Sequence, residues 1–176
     1  MIILLSGTPG TGKTTVSKIL AKKINFKILE INEILDNDII IKKERDTRIV
    51  DIEKLNKKIM KIITENTIVV GHFSHLLDIE GMVIILRTDP KELRKRLKEK
   101  GFNKSKIEEN LEAEALDVCL IEAIEKHRDV YEIDTTNKNP EEVAEEITEI
   151  LKGKGRKYKP GKIDWSYYIL EKIIKN

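Results

Sequence analysis

Apolar residues follow two rhythms along this chain. Residues 1–6, 26–31, 67–71, 82–86 and 130–134 are short and largely apolar on both sides, which predicts five strands buried on both faces of a parallel sheet. Between them, apolar positions recur at helical spacing. Val16, Ile19, Leu20 and Ile24 mark a helix over 14–24, and Ile52, Leu55, Ile59, Ile62 and Ile63 mark one over 51–65. Asp89-Pro90-Lys91-Glu92 and Asn139-Pro140-Glu141-Glu142 share one helix-start signature: a capping side chain, proline at the first helical position and Glu at the third. The first of these helices should stop at Gly101, and one long helix should follow over 106–126. Residues 33–50 keep neither rhythm and have a charged centre. Strands alternating with helices predict an α/β fold, a five-stranded parallel sheet with helices on both faces.

The end of the first strand carries the most specific chemistry. Gly7-Thr8-Pro9-Gly10-Thr11-Gly12-Lys13-Thr14 fits G-x-x-x-x-G-K-[ST] in full, after a strand and opening a helix. Glycines let the backbone approach phosphate without a Cβ. The loop N–H groups converge on an anion and the helix adds its positive end. Lys13 would serve the β- and γ-phosphates, and the Thr14 hydroxyl would ligate Mg²⁺. This predicts a P-loop nucleoside-triphosphate site. An Asn-Lys-x-Asp guanine reader is absent, since Asn137-Lys138-Asn139-Pro140 lacks the acid. Short size and a charged segment at 33–50 fit a nucleotide kinase fold better than a GTPase.

Composition narrows the field. The 176 residues carry 33 Lys plus Arg against 31 Asp plus Glu, a net charge of +2, which argues against a non-specific polyelectrolyte binder. One cysteine, Cys119, excludes an internal disulfide framework and a Cys-based zinc site, and its apolar surroundings predict a buried structural thiol. No apolar run is long enough to span a bilayer, and the N-terminus lacks the marks of a signal peptide, so a cytoplasmic protein is expected, with no membrane contact.

Several separated motifs then agree in order. The loop Gly-Thr-Pro-Gly-Thr-Gly-Lys-Thr-Thr is followed by Leu86-Arg87-Thr88-Asp89-Pro90, Arg96-Leu97, Lys100-Gly101-Phe102 and Lys106-Ile107-Glu108-Glu109-Asn110-Leu111-Glu112-Ala113-Glu114. Glu132-Ile133-Asp134-Thr135-Thr136 comes last. Over residues 1–151 this set resembles adenylate kinases of the isoenzyme-six class, small archaeal and nuclear enzymes also linked to small ribosomal subunit assembly. The resemblance implies a nucleoside monophosphate kinase-like fold and transfer from ATP-Mg²⁺ to AMP, with an ATPase side activity. Its alternative is an ATP-switched assembly factor for the small ribosomal subunit. It implies a core over 1–151, with a flap over the monophosphate at about 30–52 and a lid at about 99–109. Gly10, Thr11, Gly12, Lys13, Thr14 and Thr15 would hold the ATP phosphates. The family's lid Arg is replaced by Lys100, which keeps charge but loses the planar fork, unless Arg96 substitutes. The family's Asp-x-His after the third strand is Val70-Gly71-His72 here, so His72 is kept and the acid is lost. Asp78 or Glu30 is then the candidate carboxylate.

The remaining candidates are weighed residue by residue. His72 follows a strand end, where ligands sit in parallel sheets, and is assigned a catalytic part; His75 is read as a local hydrogen-bonding residue. Arg48, with Arg45, is read as a cation for the AMP phosphate. Arg87 is placed at the site mouth as a second contact, and Glu30 polarises the flap or caps a helix. Arg128 is open to either reading. Residues 152–162 hold six cations and no acid, after five acids and no base in 139–151. That segment is either a solvated linker or a contact for ribosomal RNA or a small-subunit protein. A final helix over 164–175 should dock through Trp165, Tyr168, Ile169, Lys172 and Ile173. A monomer is expected.

Overall fold

The computed structural model describes residues 1–44 and 47–174, with the side chains of all but 43, 44, 47 and 48. The chain opens with strand β1 (Ile2–Ser6), helix α1 (Lys13–Ile24), strand β2 (Lys27–Glu30) and a single turn of helix α2 (Ile31–Ile34). A hairpin of β3 (Ile40–Glu44) and β4 (Thr47–Val50) leads to α3 (Ile52–Ile62). Then come β5 (Thr67–Val70), β6 (Met82–Arg87), α4 (Pro90–Glu99), α5 (Lys104–Ala115), α6 (Val118–Lys126), β7 (Val130–Asp134), α7 (Pro140–Glu149) and α8 (Tyr167–Ile174).

All five apolar runs pair in parallel, in the order β2-β5-β1-β6-β7. This is the expected doubly covered sheet, in P-loop order. The alternation of side chains along β1 divides the core. Ile3 and Leu5 join Val16, Leu20, Val143 and Ile147 on the α1/α7 face, while Leu4 joins Leu55, Ile59, Leu120 and Ala123 on the α3/α6 face. The sheet order reverses at β1, which gathers the loops after β1, β5 and β6 at one edge.

The two proline helix starts differ in detail. Asn139 and Glu142 form a reciprocal capping box, at 2.9 and 2.7 Å. Asp89 instead accepts from the Lys91 N–H at 2.8 Å, and Glu92 turns away to Arg96. The irregular stretch at 33–50 resolves into α2 and the β3–β4 hairpin, whose alternation is too short and too charged to read from the sequence.

Three expectations are corrected. The long helix over 106–126 is broken at Leu116-Asp117, where Asp117 takes a left-handed φ of 57°. Arg87 braces the break: its Nη2 donates to the Glu114 carbonyl at 3.0 Å, which also accepts the Asp117 N–H at 3.2 Å, and to the Asp117 carboxylate. Arg87 is itself the second correction. It is 1% exposed and does not stand at the site mouth. Its guanidinium contacts Glu114 at 2.8 Å, Glu132 at 3.3 Å and Asp117. These carboxylates outweigh the cost of burial and hold it firmly protonated.

The third concerns the basic segment, which is not a solvated linker. Tyr158 is 6% exposed and donates to Glu149 at 2.6 Å. Lys157 pairs with Glu149 and Lys159 with Asp129. Gly155 lies so close to Tyr131 that a Cβ would fall 2.5 Å from its ring. Glu132 accepts the backbone N–H groups of Lys162 and Ile163, at 2.7 and 3.3 Å. The segment thus folds back along β7. Beyond it α8 straps α4 to α5: Tyr167 donates to Asp89, Tyr168 to Glu108, and Arg94 to Tyr168 and Glu108. Tyr168 and Lys172 face the domain as expected, but Ile173 is 66% exposed.

Replacing Arg87 by Met strands buried carboxylates without their cation. Equilibrium urea unfolding should show a loss of about 3–5 kcal/mol with little change in slope.

Candidate active site

The loop between β1 and α1 is shaped by backbone that other residues resist. Gly7 has φ +136°, and a Cβ there would meet the Leu86 carbonyl oxygen at 2.4 Å; at Gly10, φ +93°, it would meet Leu93 at 2.8 Å. The loop is therefore pressed against β6 and α4. Gly12 caps α1 without a side-chain partner, so the first N–H groups of the helix remain for an anion.

The Lys13 ammonium bridges this loop, donating to the carbonyls of Gly7 at 2.7 Å and Thr8 at 2.9 Å. Burial pushes its pKa down to about 8, and the Lys100 charge acts in the same direction. An arriving phosphate would offer this ammonium a stronger partner than two carbonyls.

A cavity of about 210 Å³ opens over the loop. Gly10, Gly12, Lys13, Thr14, Thr15, Glu30, His72 and Lys100 all line it. Residues from four separate stretches of the sequence thus converge on one space. Thr11 does not: its N–H and hydroxyl both turn inward to the Thr8 carbonyl, at 3.3 and 2.9 Å. Its part is loop shape, not the phosphate contact expected of it. Arg87 lines neither this cavity nor its neighbour, and neither does Arg96, which is tied to the Thr135 and Thr136 carbonyls at 2.9 and 3.0 Å. Arg45 lies outside the described residues, and so does the side chain of Arg48.

A second cavity, about 830 Å³, continues from the first and shares Pro9, Asn32, His72 and Phe102 with it. Its walls are both apolar and polar: Phe73, Leu76, Val118 and Cys119 beside Asn110 and Glu122. Sequence reasoning missed Asn32, Phe102, Phe73, Asn110 and Glu122 as wall residues. Asn32 and Phe73 could have been found from their places just after strand ends. Glu122 could not, because it comes from α6. Asp78 lies elsewhere, paired with Lys126 at 2.5 Å, so Glu30 is the carboxylate of the smaller cavity. Arg128 lines a separate groove with Asp78 and Lys126.

The two histidines have different settings. His72 stands where the cavities meet, its Nδ1 3.3 Å from the Gly7 carbonyl. A carbonyl only accepts, so Nδ1 carries the proton and Nε2 is an acceptor. Solvent reaches one side of the ring, but desolvation by the loop, then the Lys13 charge, push its pKa down to about 4. It is a neutral imidazole at neutral pH. His75 is buried, with Nδ1 2.6 Å from the Ser6 hydroxyl and Nε2 2.9 Å from Glu122. Cys119 Sγ is 4.0 Å from His72, and burial raises its thiol to about 12, which leaves it unreactive.

Comparison with known proteins identifies the family. A sequence profile described as an AAA domain matches residues 3–117. A protein of Thermococcus onnurineus named "Putative adenylate kinase" is 42% identical, over 94% of this chain and 92% of that one. One of the same name from Pyrococcus furiosus is 42% identical over 99% and 96% of the two chains. The chain belongs to this P-loop kinase family. Among solved structures, shikimate kinase from Acinetobacter baumannii in complex with shikimate gives a TM-score of 0.62 at 18% identity, covering 86% of this chain and 93% of that one. At such identity the likeness concerns the P-loop kinase fold alone. No helix among the described residues is long and apolar enough to cross a membrane.

His75 lines the larger cavity, but with both ring nitrogens engaged by Ser6 and Glu122 it serves this P-loop kinase as a structural link. His75→Ala should lower unfolding stability by about 2–3 kcal/mol, through the unpaired Ser6 and Glu122 groups and the void. Calorimetry with and without a bound triphosphate should show the same stabilisation by ligand as in the wild type.

Proposed function

We propose that the chain is an adenylate kinase of the isoenzyme-six class, transferring the γ-phosphoryl group of ATP to AMP so that ATP and AMP give two ADP. The observation that carries this reading is the continuity of the two cavities. A phosphate-sized space over the loop opens into one large enough for a nucleoside monophosphate, with His72, Asn32 and Phe102 at the junction.

The residues present fit a magnesium ion brought in by the nucleotide. Thr14 is exposed to the cavity and can supply a hydroxyl oxygen, and Glu30 lines the same space. No cluster of three or more His, Cys, Asp or Glu side chains suited to a metal occurs among the described residues. Phosphate oxygens and water would therefore complete the shell. When bound, the ion neutralises charge that develops on the transferring group.

The rest is the work of the chain itself. The N–H groups of the loop and of the start of α1 hold the donor phosphates in line with the acceptor. Lys13 follows charge onto the bridging oxygen, and Lys100 closes from the lid turn. The acceptor oxygen is already anionic, so no general base is needed. Neutral His72 presents Nε2 as an acceptor at the junction and can orient a water. With Val70 in place of an acid, hydrolysis of ATP is the lesser reaction, and Glu30 is the carboxylate that lines the smaller cavity. The packing of residues 152–163 on β7 gives no support to the assembly-factor alternative over phosphoryl transfer.

A coupled assay with ATP, Mg²⁺ and AMP tests the reading. Wild type should form ADP, and Lys13→Ala should lose at least ~10²-fold in kcat. Lys100→Ala should raise KM for ATP with little change in KM for AMP; equal effects on both would contradict its placement.

The pH profile supplies a second check. Free Lys13 is the cation that meets the phosphates, and its pKa is lowered to about 8. The charged form is therefore lost as pH rises through that value. The ratio kcat/KM for ATP reports free-enzyme ionisations, so it should fall tenfold per unit above about pH 8. A flat profile to pH 10 would show that the Lys13 charge is not needed for capture.

A further inference from the structure

One buried carboxylate touches the phosphate loop from outside the motif. Glu114, at the end of α5, is 2% exposed. Its Oε1 accepts from Arg87 Nε at 2.8 Å and from the Thr88 N–H at 3.0 Å. Its Oε2 accepts from the Thr8 hydroxyl at 2.5 Å. Thr8 is equally buried and sits at a position that the G-x-x-x-x-G-K-[ST] pattern leaves unspecified. A carboxylate here is costly twice over. It is dehydrated, and it lies beside a loop built to receive a polyanion. Arg87 offsets the first cost, and a solvent-free threonine hydroxyl alone would not require a charged acceptor.

The arrangement makes sense through what Thr8 does next. Its hydroxyl proton is committed to Glu114, which fixes the residue's orientation. Its carbonyl then accepts from the Thr11 N–H, the Thr11 hydroxyl and the Lys13 ammonium, at 3.3, 2.9 and 2.9 Å. Thr8 is thus the point through which the fixed scaffold reaches Lys13. The negative charge of Glu114 is also felt at Lys13, where it favours the ammonium. The far end of α5 follows the turn that carries Lys100 and Phe102, so one helix joins lid turn and loop.

We infer that Thr8 and Glu114 are a positioning pair, in which the α5 carboxylate holds the phosphate loop and its lysine in the shape that binds triphosphate. The inference rests on the proposed ATP site. Neither residue touches substrate; both act through the loop.

Thr8→Val removes the hydroxyl and keeps the shape, and Thr8→Ser keeps the hydroxyl and loses a methyl. Binding of a non-hydrolysable ATP analogue, with steady-state KM values for ATP and AMP, reads the effect well below each variant's Tm. Thr8→Val should weaken analogue binding and raise KM for ATP on the order of tenfold, with KM for AMP within about twofold. Thr8→Ser should restore both. A purely structural hydroxyl would instead lower Tm in Thr8→Val and leave the analogue affinity at the wild-type value, which overturns the inference. Lys13→Ala run alongside separates the two readings. If Lys13→Ala loses the analogue and Thr8→Val does not, the positioning pair is wrong and the ATP site stands. If wild type does not bind the analogue, both fall.

Discussion

A single buried guanidinium organises the upper half of this molecule. Arg87 ends β6 with its charge turned inward, and three carboxylates come to it from different elements: Glu114 from α5, Asp117 from the α5–α6 junction and Glu132 from β7. Each carboxylate has a second duty. Glu114 holds the loop at Thr8, Glu132 holds the backbone of residues 162–163, and Asp117 marks the corner where the chain turns into α6. A buried ion cluster contributes little to net stability against an apolar alternative, because dehydration cancels most of the Coulomb gain. What it enforces is geometry. Every partner must be present and correctly aimed, or a charge is left unpaired.

That geometry matters because a phosphate loop works by backbone placement. Its donors are N–H groups with no freedom to reach, so the loop's frame decides whether they converge. The frame here has three sides. Parallel strands fix where the loop leaves the sheet, α4 presses on Gly10 through Leu93, and α5 grips Thr8 through Glu114. Only the remaining side, toward Lys100, His72 and Glu30, faces the cavity.

Some of this was legible in the sequence and some was not, for a physical reason. The strands and the phosphate loop are local: each is a rhythm or a spacing within a few residues. Lys13 followed from the loop motif, His72 and Glu30 from their places at strand ends, and Lys100 from the family resemblance; all four line the smaller cavity. Arg87 was misjudged because a cation at a strand end looks the same whether it points at a ligand or inward at acids 27, 30 and 45 residues further on. The break at Asp117 was invisible for the same reason, since the cation that braces it comes from β6. Thr11 fits the phosphate motif by position, yet its hydroxyl and N–H are consumed within the loop. The second cavity is walled by several separate stretches of chain, all of which had to be placed before it could exist.

The distribution of charge follows the same logic. Along the sequence, acids cluster in 139–151 and bases in 152–162, as though an acidic helix carried a free basic arm. In space part of this segregation cancels. Glu149 takes both Lys157 and Tyr158, Glu145 meets Lys23 across to α1, and Lys159 crosses to Asp129 before β7. These exposed pairs are individually weak. Their register is set instead by Tyr158, buried beneath them, and by Glu132, which catches the backbone as it leaves. Glu132 is also a partner of Arg87, so the tail is fastened to the same ion cluster that fixes the phosphate loop. Pairing in space thus offsets part of the charge that the sequence segregates. Lys13 and Lys100, which line the smaller cavity, are in no carboxylate ion pair found among the described residues.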